Sequence, residues 1–294
     1  MCRLLAGWAW GPRGLQLLGE LASLVAEAAR GDPYLRAVTG GEDRHCHGYG
    51  VLLVYRSRVG GGAWRLHYER FDALEEGVGE EEACRANLEA AAGAAERLRG
   101  LLASAAEALL VFHVRRAGRR EPRGSLNNHP YQETSYTGRG AVELYLAHNG
   151  GVRKDLLAAK LGLGGWEAYT DSRLLLALVA RRVGEGVEPW RALVEGYEAV
   201  KSGYDVALAA LEDTGAGLRP SLYIAGGMAP GLDEARRRYY EPIGFTHAEA
   251  AGYISSTVRD LARERGLEVE TRSLEWAVYQ VEPGRGLREL ARLA

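Results

Sequence analysis

The chain has 294 residues, 47% of them hydrophobic, with a net charge of −2, so it can bury a substantial core. That charge leaves no basic field for nucleic acid and no strongly acidic tail. No stretch approaches the roughly 20 apolar residues of a membrane span, and the apolar run at 4–10 is cut short by Gly11-Pro12-Arg13-Gly14, too soon for a signal peptide.

Three cysteines, Cys2, Cys46 and Cys84, are too few and too scattered for a disulfide framework, so a reducing cytoplasmic interior is expected. Lysine occurs only at 154, 160 and 201, and asparagine only at 87, 127, 128 and 149. Abundant charge with few thermolabile amides suits a hot-living organism, although a GC-rich genome would give the same arginine excess. Three of those asparagines fall within 127–149, together with His129 and His148.

In chain order, residues 3–10 read as a buried strand with Cys2 at its start, and residues 15–29 as a helix with a 3.6-residue apolar stripe. A loop after Gly31-Asp32-Pro33 ends in His45-Cys46-His47-Gly48-Tyr49-Gly50. Strands at 51–57 and 63–71 follow, joined as a hairpin through Gly60-Gly61-Gly62. Residues 80–105 form an alanine-rich helix, and 108–118 a buried strand that delivers Arg115. A polar loop (118–140) carries Asn127-Asn128-His129-Pro130-Tyr131.

A strand at 142–151 and a helix at 152–162 come next, then a helix to about 183 with Thr170 or Asp171 as N-cap. The last third reads as a helix at 189–201, strands at 204–212 and 220–227, and an irregular arginine-rich stretch at 228–247. A strand (253–258), a helical turn (259–265) and strands at 268–272 and 275–282 complete it. No linker, repeat or low-complexity tract interrupts residues 2–294, so a single domain is expected. Many strands with clustered helices, and no GxGxxG or P-loop after a strand, argue against a parallel doubly wound sheet.

Cys2 is the one cysteine that becomes the amino terminus if the initiator Met is removed. A terminal cysteine joins a thiol of ordinary pKa about 8.5 to an amine of about 7.7–8.0, the nucleophile-plus-base pair of an N-terminal Thr or Cys hydrolase. Taken together, Met1-Cys2-Arg3, HCHGYG (45–50), FHVRRAG (112–118), NNHPY (127–131), AHNGGV (147–152) and TDSR (170–173) form an ordered series. This series resembles the class II glutamine amidotransferases of the N-terminal-nucleophile hydrolase superfamily, in particular the stand-alone type beginning Met-Cys-Arg.

The resemblance implies an α+β fold, a four-layer αββα sandwich of two antiparallel sheets. It implies hydrolysis of a γ-glutamyl amide, glutamine first, through a Cys2 thioester, with no metal or organic cofactor. Arg115 would grip the substrate carboxylate with its forked guanidinium, and Asp171 its ammonium. The Asn149 amide and the Gly150 N–H would stabilise the oxyanion. Ammonia would pass to a separate synthase partner. The alternatives are hydrolysis of another γ-glutamyl compound, such as a glutathione-like peptide or a conjugate, and a non-catalytic γ-glutamyl-binding subunit.

Two departures from the family pattern bear on substrate. His47-Gly48-Tyr49-Gly50 stands where stand-alone members carry an Asp-Gly-Trp-Gly-like run, and Arg116-Ala117-Gly118 where synthetase-linked members carry Trp-Ala-Thr. Plainer readings stand beside the functional ones. Asn149-Gly150 also reads as a turn, Asp171 as a cap, and Asn128-His129-Pro130 as loop shaping. His113 reads as a satisfied core histidine, and Trp276 and Ile254-Ser255-Ser256 as core and strand. His45 and His47 share one face of an extended segment opposite Cys46. No third ligand at metal spacing accompanies them, so they are expected to be solvated or hydrogen-bonded.

Overall fold

The computed structural model describes residues 2–59, 62–74, 78–118, 121–215 and 217–293. It is a mixed α+β structure with two antiparallel sheets. The first half runs β1 (Cys2–Ala9), α1 (Pro12–Arg30), α2 (Pro33–Thr39), β2 (Tyr49–Ser57), β3 (Trp64–Phe71), α3 (Glu80–Ala103), β4 (Ala105–Arg115), β5 (Tyr131–Thr137) and β6 (Gly140–Val152). The second half runs α4 (Lys154–Leu161), α5 (Asp171–Gly184), α6 (Pro189–Tyr197), β7 (Val200–Asp213), β8 (Leu218–Gly226), α7 (Glu234–Tyr239), β9 (Ile243–His247), β10 (Ala250–Ile254), α8 (Ser256–Glu264), β11 (Glu270–Ser273), β12 (Ala277–Glu282) and β13 (Gly286–Arg292). The sheets are ordered β11-β9-β10-β1-β4-β2-β3 and β13-β12-β8-β7-β6-β5.

Strand alternation explains how these strands read as unbroken apolar runs. In β4, Leu110, Phe112 and Val114 pack with α1 and α3, while Leu109 and Val111 face the other sheet. β7 divides in the same way: Val206 and Leu208 join the cluster with α5 and α6, whereas Ala207 and Ala209 face the first sheet. Both faces of the central strands are therefore dry, and the period-2 signal is masked by apolar residues at every position.

Several expectations change. The stretch 31–45 holds α2, whose Asp32 N-cap side chain accepts from the N–H groups of Tyr34 and Leu35. The loop expected at 118–140 contains edge strand β5, and the irregular 228–247 contains α7 and β9. Trp276 is not core but 37% exposed with φ 62, just before β12. Ser255 stands at the N-cap position of α8 rather than extending a strand, and its hydroxyl accepts from the Leu4 N–H at 2.9 Å instead of capping the helix. Gly60 and Gly61 of the expected hairpin lie outside the described residues, although β2 and β3 pair antiparallel.

Cys46 and Cys84 form a disulfide, against the expectation drawn from cysteine count. Docking of α3 against the loop before β2 brings together two cysteines 38 residues apart, a proximity no spacing rule reveals. The number of cysteines therefore says nothing here about a reducing compartment. No helix among the described residues is long and apolar enough to cross a membrane.

Candidate functional site

Cys2 opens β1 and pairs across the ladder with Arg115, the last residue of β4. Leu4, Ala6 and Trp8 face the second sheet, so by alternation Cys2 lies on that inner face as well. Its backbone N–H donates to Asn149 Oδ1 at 3.0 Å, and Asn149 Nδ2 donates to Asp205 Oδ2 at 2.9 Å. Asn149 on β6 and Asp205 on β7 are themselves cross-strand partners. One carboxamide thus ties the start of the first sheet to the second. The Cys2 carbonyl accepts from the Tyr239 hydroxyl at 2.9 Å.

The thiol is buried among titratable groups. Burial works to raise its pKa, but the positive charge at the chain's amino end, His113 and the backbone of Arg116 outweigh that, leaving it well below the ordinary thiol value. Asp205 moves the other way: burial lifts its carboxyl well above the usual range, against the pull of Tyr253 and Asn149.

His113 and His129 are the main residues that sequence reasoning set aside. His113 is fully buried as expected but is not satisfied, because its Nδ1 has no hydrogen-bond partner among the described residues. Its Nε2 lies 3.0 Å from His129 Nδ1, and His129 Nε2 is likewise buried without a partner. Ligand atoms of Cys2, His113 and His129 all lie within 4.8 Å of one another. The loop carrying His129 is anchored on both sides, Asn128 Nδ2 donating to Phe71 O at 2.7 Å and the Tyr131 hydroxyl to Asn127 O at 2.9 Å.

Arg115 is 4% exposed. Its Nη2 donates to Pro122 O at 2.9 Å, while Nη1 is buried and has no partner among the described residues. Among the described residues no carboxylate pairs with it, and a buried guanidinium without an acid is a ready receptor for an anion. Asp171 is the first residue of α5; Thr170, not Asp171, is the N-cap, accepting from the Arg173 N–H. Asp171 Oδ2 accepts from Val152 N at 3.0 Å and its Oδ1 from Ser172 N at 2.8 Å, so the carboxylate is fixed beside the 149–152 segment. Arg115 and Asp171 are both close enough to bear on the Tyr131 hydroxyl, and Cys2 and Asp171 on His148.

Gly150 sits at the irregularity where the β6–β7 register shifts, within a strand rather than a turn. A Cβ there would come within 1.8 Å of the Gly203 carbonyl oxygen, which excludes any side chain. The five sequence candidates therefore lie around one end of the two sheets.

Behind Cys2, on the opposite face of β1, Arg3 is fully buried and clasps Asp32 bidentately at 2.6 and 2.9 Å. Asp32 also accepts from Thr257 Oγ1 at 2.7 Å and pairs with His45 Nε2 at 2.6 Å. Arg3 in turn stacks over Tyr239 at 4.1 Å from the ring centroid, the residue that holds the Cys2 carbonyl. His45 is thus a buried member of this network, whereas His47 Nδ1 accepts from Ala117 N at 2.9 Å. Burial, with the charges of Arg123 and Arg115, lowers the His47 pKa to about 4.

A cavity of about 630 Å³ is lined by His47, Arg116, Ala117, Gly118, the Cys46–Cys84 bridge and charged side chains including Arg123. Cys2 itself is not part of that lining; the link is Arg116, whose backbone bears on the thiol. The two sequence departures thus meet in one wall. No protein-family model matches the chain, and no curated protein matches it.

Proposed function

We propose that the chain is a stand-alone class II glutamine amidotransferase-like enzyme with the four-layer αββα sandwich of N-terminal-nucleophile hydrolases, cleaving a γ-glutamyl amide through Cys2. One observation carries the reading: Cys2 is flanked by Arg115 across the β1–β4 ladder and by Asn149 across the gap between the sheets. The sandwich is supported by three apolar clusters, one between the sheets and one between each sheet and its helices.

In the reaction, the Cys2 sulfur attacks the γ-carbonyl carbon while its own α-amine takes the thiol proton. The reading requires that Met1 be removed, since an amide nitrogen cannot serve as base. Asn149 Oδ1 would then hold the amine, and the remaining amide hydrogen with the Gly150 N–H would receive the oxyanion, each donor worth about 2.7–4 kcal/mol. The C–N bond breaks, the amine proton leaves with ammonia, and a γ-glutamyl thioester remains. Water, deprotonated by the same amine, adds to the thioester, and the C–S bond breaks to give glutamate and free thiol. Arg115 would pair with the substrate α-carboxylate and Asp171 with its ammonium. Ammonia would pass to a separate synthase or be released.

A second reading, hydrolysis of a larger γ-glutamyl compound, is favoured by the cavity where His47 and Arg116–Gly118 meet, which offers charged groups to a leaving group bigger than ammonia. A panel of γ-glutamyl substrates separates the two. Release of glutamate and ammonia from glutamine, lost in Cys2→Ala, supports the first; cleavage of a conjugate with glutamine untouched supports the second. Failure on every γ-glutamyl substrate, with Met1 retained by intact mass, leaves the non-catalytic binding subunit.

A further inference from the structure

Two buried imidazoles in contact, each with a nitrogen that has no partner among the described residues, are costly to leave beside a thiol. Nucleophile chemistry as described above uses neither ring. We propose that Cys2 Sγ, His113 and His129 form a buried site for one zinc-class divalent ion, and that the ion, while bound, withholds the Cys2 sulfur from nucleophilic attack.

The geometry is the argument. One nitrogen or sulfur from each of the three residues lies within 4.8 Å of the other two, and the imidazole nitrogens are 3.0 Å apart. A tetrahedral ion with metal–nitrogen bonds of about 2.0–2.1 Å and a metal–sulfur bond of about 2.3 Å has ligand–ligand edges of about 3.3–3.6 Å. Small side-chain movements would close this group on a common centre. The donor set, one thiolate and two imidazoles, is the soft-to-borderline combination that favours zinc or cobalt over magnesium or calcium. Three protein ligands leave a fourth position for water. Binding displaces the thiol proton and replaces the imidazole–imidazole hydrogen bond with two metal–nitrogen bonds. The rings are held from the protein side: His113 by its pairing opposite Leu4 in β1 and Gly50 in β2, and His129 by the anchored loop.

The test uses the full-length protein, stripped with chelator and kept free of reductant so that the Cys46–Cys84 bridge stays closed. Titration with Co²⁺ should reach one equivalent, with the visible bands of tetrahedral cobalt and a near-ultraviolet thiolate-to-cobalt charge-transfer band. Cys2→Ser should lose the charge-transfer band, and His113→Gln and His129→Gln should each weaken binding at least about 10-fold, the scale on which ligand loss is felt. Zn²⁺ should displace the cobalt and protect Cys2 from iodoacetamide. Circular dichroism and thermal midpoint check that each variant is folded; where one is not, zinc protection of Cys2 in the unaltered chain decides. No charge-transfer band, or a band unchanged in folded Cys2→Ser, overturns the proposal. The cobalt readout needs no turnover, so failure of the γ-glutamyl reading leaves its outcome separately visible.

Discussion

The backbone nitrogen of Cys2 and the side chain of Asn149 meet at 3.0 Å, joining residues 147 apart and one sheet to the other. Because the same carboxamide also holds the buried carboxyl of Asp205, its loss strands two polar groups at once. Asn149→Ala should therefore cost about 2–6 kcal/mol of stability, at about 1–3 kcal/mol for each of the two buried groups left unpaired. If the amide also faces the oxyanion, kcat should fall about 10²–10³-fold. Urea denaturation and steady-state kinetics measure the two effects separately.

Arg115 predicts the opposite balance. Its guanidinium is buried, bonded to one carbonyl and paired with no acid among the described residues. Arg115→Met should leave stability within about 1 kcal/mol or raise it, since no partner charge is orphaned. KM for a γ-glutamyl substrate should rise about 10- to 100-fold, the worth of a charge-assisted hydrogen bond at about 1.5–3 kcal/mol. A variant that unfolds while KM holds would reverse the assignment.

Asp32 sets the acid limit. Burial opposes its ionisation, but the Arg3 guanidinium outweighs that, with His45 assisting, and holds it far below the usual carboxylate range. A depressed folded-state pKa gives stability that is complete above the unfolded value of about 3.9 and lost as pH falls below it. His45, lowered by burial against the pull of Asp32, adds a loss that begins as pH drops through about 6.5, where the unfolded chain takes up the proton. Asp32→Asn should cost about 3–5 kcal/mol at neutral pH by leaving Arg3 buried and unpaired. It should also flatten the stability–pH curve below about pH 4, as read by urea denaturation across the acid range.

Much of this was legible in the residues, and the gaps have physical causes. The central strands were found because branched and apolar residues fill both faces, as in Leu109–Val114. β5 reads as a polar loop because only Tyr131 and Ser135 of its seven residues are buried. α2 does carry a sequence signal, an Asp N-cap followed by Pro at the first helical position. Cys2, Arg115, Asn149, Gly150 and Asp171 were nameable from motif order. The pairing of His113 with His129, the Asn149–Asp205 bond and the Arg3–Asp32 clasp depend on sheet register and helix docking, which composition and periodicity do not encode.

The Cys46–Cys84 bridge closes a loop spanning 38 residues and forms part of the cavity wall. Opening it by Cys84→Ser should lower unfolding free energy by about 2–4 kcal/mol. A change in conjugate cleavage larger than any change in glutamine hydrolysis would tie that wall to leaving-group recognition.

The most direct test of Cys2 as nucleophile is reaction of chelator-treated protein with the glutamine analogue 6-diazo-5-oxo-norleucine, followed by intact mass and peptide mapping. The account predicts one adduct per chain, on the sulfur of a Cys2 that has lost Met1, and none in Cys2→Ala. An adduct on any other residue, or a folded chain whose processed Cys2 stays unmodified, would contradict it.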